Sequence, residues 1–507
     1  MNLRLRFIVI AIASAMVGML ARPTVAASCE DLAHLTLPQA TITLAQPLPA
    51  GSFTSPNSRS LSDLPAFCRI AATIKPTPAS DINIEVWLPL AAVWNGKFEA
   101  VGNGGWAGAI EYSALADALR HGFATSSTDD GDAGDLSLFI AHPERFVDFA
   151  YRSEHEMTLK AKALIAAFYG KAPRYSYWNG CSGGGREALL QAYRYPDDFN
   201  GIVAGDPATF RRNAWAMHIA NAAFKNPADY IPPAKYPMIH QAVLNTCDKL
   251  DGLQDGLIAD PRNCHFDPQT LLCKGSDRPN CLTRRQVETA QTILTPMKSG
   301  TGKELFPRLE PGTELRWARL AGGPEPADLF LDYFKFIVFK NPDWDWRTFQ
   351  TDRDTALADQ DAQGIIALNP DLSAYAQHGG KLLLYHGWAD QQVAPVATIE
   401  FYEAMAAAEA KADGSATADI GGWARLFMAP GMAHCSGGEG PNQFDKMDPI
   451  EQWVENGKPP AQIVAAHVSN GHVDRTRPLC PYPQTAEYKG SGSIDEAKNF
   501  ACRIPRH

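Results

Sequence analysis

The chain contains no run of lysines or arginines, and its formal net charge is -10. Nucleic-acid binders generally present a clustered basic face, so that class is set aside. The acidity bears on solubility and says little about substrate. Past residue 27 no stretch is long and apolar enough to cross a bilayer, so no membrane partner is expected. C-x-x-C doublets are missing, which argues against a zinc site or a redox centre. Internal repeats and low-complexity linkers are missing too. What the chain does have is size. At 507 residues it exceeds the usual single-core limit, so a core domain with a large insertion is expected.

The first six residues carry Arg4 and Arg6, residues 7–20 are almost wholly apolar, and small residues lead up to Ala26 and Ala27. This reads as a secretory signal over 1–27, and its apolar run is shorter than the ~20 residues a span needs. A secreted or periplasmic protein follows. Ten cysteines suit that compartment. Neighbours in sequence suggest Cys29 with Cys68, Cys247 with Cys264, Cys273 with Cys281, and Cys480 with Cys502. Cys181 and Cys435 remain, far apart, and counting alone fixes no connectivity.

Strand patterns are expected at 82–88, 97–101, 123–127, 175–179, 201–204, 381–385 and 424–428, with helices at 112–121, 152–169 and 186–194. The alternation predicts an α/β fold of hydrolase type with a parallel-rich sheet. Between 208 and 376 the rhythm breaks into prolines, cysteines and the aromatics Phe330, Tyr333, Phe334, Phe336, Phe339, Trp344, Trp346 and Phe349. That stretch reads as a lid inserted into the core, whose two parts are 28–207 and 377–507. The aromatics form its core, some of them also lining a pocket.

Gly180-Cys181-Ser182-Gly183-Gly184 fits G-x-S-x-G between a strand and a helix. Glycines flank the serine because the turn is too tight for side chains, and the strained turn exposes the hydroxyl. Ser182 is therefore the candidate nucleophile. Such a serine needs a base and an orienting carboxylate, in the order serine, acid, histidine. Asp390 in His386-Gly-Trp-Ala-Asp390 follows a strand and is the candidate acid; Asp206 in Gly205-Asp-Pro207 is its rival. His434 in Gly431-Met-Ala-His434 follows the last strand and is the candidate base. Gly183 and either Gly105 or Gly104 supply the expected oxyanion amides, a plain glycine turn being the bland alternative for the latter pair.

Asp248, Asp251 and Asp255 crowd into eight residues with Gly252 and Gly256 between and after them. Three such carboxylates repel unless a hard cation joins them, and calcium accepts many oxygens flexibly. A solvated acidic turn is the alternative.

Gly-Cys-Ser182-x-Gly-Gly-Arg186, Asp390, His434-Cys435, Gly102-Asn-Gly-Gly105, Gly205-Asp-Pro-Ala208 and Pro342-Asp-Trp-Asp-Trp-Arg347 resemble the tannase and feruloyl esterase family, which also includes a hydrolase of mono(2-hydroxyethyl) terephthalate. The similarity spans nearly the whole chain after the signal. It implies a Cys181–Cys435 disulfide and a structural calcium held by Asp248, Asp251 and Asp255 with the carbonyls of Leu253 and Leu257. Gly183 departs from many relatives, which carry a side chain there. The expected activity is hydrolysis of small aromatic esters through an acyl-enzyme, feruloyl-type before gallate or terephthalate. Recognition of a second carboxylate would want a cationic lid residue, with Arg316, Arg347 and Arg353 all open. An acyltransferase using an alcohol in place of water is a rival. From a different class, a calcium-stabilised, non-catalytic binding protein is the other, although a complete triad argues against it. Oligomeric state is not legible.

Overall fold

The structure, a computed structural model, describes residues 26–106, 108–132, 134–319, 323–362, 365–416 and 418–505. All of the expected signal except its last two residues lies outside these. Among the described residues no helix is long and apolar enough to cross a membrane.

Nine strands form one sheet: β1 (Ala40–Leu48), β2 (Phe67–Ile74), β3 (Ile82–Pro89), β4 (Lys97–Val101), β5 (Ala124–Thr128), β6 (Tyr175–Cys181), β7 (Gly201–Gly205), β8 (Lys381–Gly387) and β9 (Ala424–Ala429). Their order is β1-β2-β3-β5-β4-β6-β7-β8-β9. The pairs from β1 to β5 are antiparallel, and those from β5 to β9 are parallel. Parallel strands covered on both faces read as continuous apolar runs, and every residue of β7 is buried. Strand β1 is half exposed and carries Pro47, which an edge strand tolerates.

Helices α1 (Tyr112–Arg120), α2 (Ser153–Tyr169) and α3 (Gly183–Arg194) follow strands of the core. Gly170 closes α2 at φ 69°, the left-handed stop that glycine adopts without penalty. Helix α3 begins at Gly183, three residues before the expected start, so the glycines of the turn are already helical. Space requires them. A Cβ on Gly185 would stand 2.2 Å from the Gly205 carbonyl oxygen, and one on Gly180 2.5 Å from that of Gly184.

The stretch between β7 and β8 adds no strand to this sheet among the described residues. It contains α4 (Arg211–Phe224), α5 (Tyr236–Cys247), α6 (Arg284–Ile293) and several short turns. Thr283 and Gln286 cap α6 reciprocally. Asp260 and Asp267 each accept an amide two residues on, with Pro261 and Pro268 at the first helical position. Phe330, Tyr333, Phe334, Trp346 and Phe349 are buried in one cluster, against which Phe336, Phe339 and Trp344 pack. The aromatic run is thus chiefly core, in a cluster that also takes in Phe139, Phe146 and Phe149 from before β6. After β8 comes α7 (Pro395–Asp413).

Cysteines pair as Cys29–Cys68, Cys181–Cys435, Cys247–Cys264, Cys273–Cys281 and Cys480–Cys502. The neighbour pairing and the long link implied by the family resemblance both hold.

Candidate active site

Ser182 sits between β6 and α3 at φ 63° and ψ -115°. A non-glycine residue rarely holds such a backbone, and strain of this kind persists only where surroundings enforce it. Here they do. The Ser182 amide donates to the Gly205 carbonyl at 2.9 Å, while its carbonyl accepts from Arg186 and Ala208, each at 3.0 Å.

His434 follows β9 and Asp390 follows β8, which are adjacent parallel strands, so register delivers both residues to the same end of the sheet. Their two loops are joined by the Ala389 amide, which donates to the Met432 carbonyl at 2.9 Å. A Cβ on Gly387 would lie 2.3 Å from the Met432 oxygen, so that crossing admits only glycine.

Ser182 Oγ donates to His434 Nε2 at 2.8 Å, and His434 Nδ1 donates to Asp390 Oδ2 at 2.7 Å. A carboxylate only accepts, so the ring proton belongs on Nδ1 and Nε2 is free to accept the serine proton. The other Asp390 oxygen accepts the amides of Gln392 at 2.7 Å and Val393 at 3.0 Å. Burial pushes the Asp390 carboxyl up, but the His434 charge and the bonds from His386 and His434 outweigh it. They hold Asp390 well below the usual carboxylate range.

The rival acid, Asp206, does a different job. Its carboxylate accepts the amide of Gly387 at 3.0 Å and that of Cys435. It therefore ties the loop after β8 to the loop bearing His434. Burial pushes its carboxyl up; His386 opposes that and the nearby Asp390 adds to it. The Cys181–Cys435 disulfide, with Cα atoms 5.9 Å apart, joins the residue before Ser182 to the residue after His434.

Sequence reasoning missed His386 as part of the site. It is fully buried, and its Nε2 donates to Asp390 Oδ2 at 3.1 Å and the Val393 carbonyl at 3.2 Å. Thr398 Oγ1 donates to its Nδ1 at 2.8 Å. It lies in β8, one residue from the strand's end and four before Asp390, where a buried position gave no sign of a contact with the acid. Asn103 was also missed. Its carbonyl accepts the Gly184 amide at 2.6 Å and its amide donates to Glu187 Oε2 at 3.0 Å.

These bonds press the Gly102–Gly105 loop onto the start of α3. A Cβ on Gly183 would stand 3.3 Å from the Gly105 nitrogen, so the structure brings these two candidate oxyanion donors together. A Cβ on Gly104 would meet nothing within 4 Å. The same closeness gives the Gly183 departure a physical meaning: a side chain there would push the loop by a few tenths of an ångström.

Of the three arginines left open, Arg347 pairs with Glu325 and Asp345, and Arg353 with Asp354. Arg316 differs. Its Nη2 lies 3.7 Å from where a Cβ on Gly437 would be, in the loop that follows His434. A cavity of about 640 Å³ includes Phe210 and Tyr333 in its wall and does not reach Ser182 or His434.

Asp248, Asp251 and Asp255 share a loop turned by Gly252 (φ 89°) and Gly256 (φ 79°). Asp248 accepts the amides of Asp255 and Gly256, and Asp255 pairs with Arg477 at 2.6 Å. Burial pushes the Asp251 carboxyl up, and the nearby Asp255 and Asp248 carboxylates add to the push. Crowded hard oxygens of that kind suit a divalent cation, although the three are not among the ligand triplets lying within 4.8 Å of one another.

The family model described as tannase and feruloyl esterase matches residues 68–322 and 334–503. An uncharacterized esterase of Xanthomonas campestris is 38% identical over 96% of this chain and 92% of its own length. "Probable feruloyl esterase B-2" of Neosartorya fischeri is 33% identical over 94% of this chain and 95% of its own length. The crystal structure of feruloyl esterase B from Aspergillus oryzae superposes with a TM-score of 0.87 at 30% identity, covering 94% of this chain and 99% of that one.

Proposed function

Since the chain belongs to the tannase and feruloyl esterase family and is a carboxylic ester hydrolase, we propose that it acts as an exported serine esterase on aromatic, feruloyl-type esters. The observation that carries the mechanism is the continuous line Ser182–His434–Asp390, with hydrogen bonds of 2.8 and 2.7 Å. His434 takes the Ser182 proton as Oγ attacks the ester carbonyl, and the amides of Gly183 and Gly105 receive the developing oxyanion. His434 then returns the proton to the leaving alcohol. Water repeats the sequence on the acyl-enzyme and frees the acid. His386 and Asp206 hold the acid and the base loop still while this happens.

A feruloyl preference is supported by the relatives named as feruloyl esterases, which match along nearly their whole length. Gallate esters are the nearest alternative. A terephthalate monoester is a second reading that Arg316 favours, because its guanidinium stands by the loop after His434. A structural calcium on Asp248, Asp251 and Asp255, completed by the carbonyls of Leu253 and Leu257, belongs to the same proposal. It would hold the inserted stretch and take no part in acyl transfer.

The test is hydrolysis of methyl ferulate, methyl gallate and a terephthalate monoester by the purified protein beside Ser182→Ala. Ferulate should turn over fastest, and the variant should lose roughly 10⁶ in kcat. No Ser182-dependent turnover on any of the three would overturn the esterase mechanism.

A further inference from the structure

Beside the oxyanion amides lies a narrow cavity bordered by Gly105 and Gly183. Arg186, Thr209, Arg212 and Asn213 form its polar wall. Within these side chains Arg186 Nη1, Arg212 Nη1, Thr209 Oγ1 and Asn213 Oδ1 are buried and have no hydrogen-bond partner among the described residues. Arg186, Arg212 and Asn213 are 2%, 6% and 2% exposed, so solvent at the surface does not satisfy them. A buried polar group left unpaired is costly, more so when charged. Orphans converging on one cavity point to an occupant.

The chemistry of that occupant follows from the wall. Both guanidiniums donate only, and the threonine hydroxyl can donate. The Asn213 amide, whose two ends are interchangeable by a half-turn, can present its Nδ2. Arg186 is partly neutralised by Glu187, 3.4 Å away. Among the described residues no carboxylate bonds to Arg212: the Asp390 charge acts on it only at a distance, and Arg186 adds a like charge. Water would fill the hydrogen bonds and leave the repulsion. An anion answers both. The space takes about one water-sized group, which admits a halide or a single carboxylate oxygen and excludes a whole phosphate or sulfate.

We propose that this cavity binds one small monovalent anion, a halide or the inserted oxygen of a carboxylate, held by Arg186, Thr209, Arg212 and Asn213. Burial pulls the Arg212 guanidinium down to about 10, with Asp390 opposing and Arg186 reinforcing, so it keeps its charge at neutral pH. The anion is either the acid group of a short acyl chain or a free ion from solvent. The first source rests on the ester-hydrolase mechanism above; the binding itself does not.

The test therefore starts without turnover. The thermal midpoint of the protein is followed against sodium chloride and sodium acetate at fixed ionic strength, with sodium sulfate as the balance. A saturable rise is expected, with the half-saturating concentration at least tenfold higher in Arg212→Gln and largely restored in Arg212→Lys. If Arg212→Gln does not fold, Thr209→Val makes the same comparison. A midpoint that shows no saturable rise as chloride or acetate replaces sulfate, or the same response in wild type and variants, overturns the proposal. Turnover then separates the sources. Chloride competing against monomethyl succinate but not methyl butyrate identifies the acyl acid group, whereas equal effects on both esters identify a free ion.

Discussion

Strands β6 to β9 position Ser182, Asp206, Asp390 and His434 by main-chain register, while the stretch between β7 and β8 holds its shape by local devices. The core half lines up the ends of parallel strands, so a residue just past any of them points into one shared crevice. The inserted half has Asp-Pro turns, disulfides closing loops of 17 and 8 residues, an acidic loop and an aromatic cluster. The turns, disulfides and acidic loop each stabilise a few residues, and the aromatic cluster packs the stretch against Phe139, Phe146 and Phe149 from before β6. Chemistry that must hold to a fraction of an ångström therefore sits in the core. The insert contributes walls, such as Phe210, Tyr333 and Arg316, that can change without moving the triad.

The sharpest way to break that contrast lies within the core, between two buried carboxylates on neighbouring strands. Asp390→Asn should lower kcat by about 10⁴, because an amide favours the wrong imidazole tautomer. Asp206→Asn keeps most of the shape but loses acceptance from one of two amides. It should destabilise by about 1–3 kcal/mol with a far smaller loss of kcat. Steady-state kinetics beside denaturant unfolding read both. Equal kcat losses would mean that Asp206 shares the chemistry.

Disulfides compare the halves next. Replacing Cys181 and Cys435 by serine should cost about 2–5 kcal/mol and reduce kcat, since Ser182 and His434 flank the bond. Removing Cys273–Cys281 should cost less and leave kcat alone. Thermal unfolding and kinetics on both double variants decide it. An unchanged kcat in the first would show that hydrogen bonds alone hold the triad together.

How much of this was legible in sequence follows the same division. The candidate nucleophile, acid and base stand in short glycine-framed motifs at strand ends, so local pattern sufficed to pick out Ser182, Asp390 and His434, which the fold joins by hydrogen bonds. Strands β1 and β2 went unread: β1 is a half-exposed edge, and β2 is nearly all apolar with weak alternation. His386 and Asn103 act through contacts across loops, for which a single sequence has no periodicity. Among Arg316, Arg347 and Arg353, sequence could not choose, because a carboxylate close in sequence, as Asp345 is to Arg347 and Asp354 to Arg353, need not bond to it, and Glu325 reaches Arg347 only through the fold.

A smaller effect tests the interior behind the oxyanion loop. Asp130, Glu154 and Glu187 are buried with ligand atoms within 4.8 Å of one another. Burial, with the Glu187 charge adding to it, pushes the Glu154 carboxyl up to about 8. The folded state then keeps a proton that the unfolded chain releases. This contribution is fully present below the ordinary glutamate value and is lost as pH rises through about 8. Unfolding free energy should fall by about 1–3 kcal/mol from pH 5 to pH 8. Glu154→Gln should flatten that slope, and an unchanged slope would place the titration elsewhere.

The smallest effect concerns the acidic loop, and its sign carries more than its size. If calcium joins Asp248, Asp251 and Asp255, chelation should lower the thermal midpoint by about 2–4 °C, roughly the shift for 1 kcal/mol. It should leave kcat unchanged at 25 °C, because the loop lies in the insert and not on the triad. Asp251→Asn should then destabilise and abolish the response to chelator. If the loop is a solvated acidic turn instead, Arg477 already balances Asp255, and Asp251 is left with net repulsion from its neighbours. Neutralising Asp251 would in that case be neutral or stabilising, and chelator would do nothing. Opposite signs for one substitution make the outcome readable even where the shift is small. A kcat that fell with chelator would instead mean that the insert reaches the triad through the Gly431 turn, whose Cβ position lies 2.6 Å from Leu257.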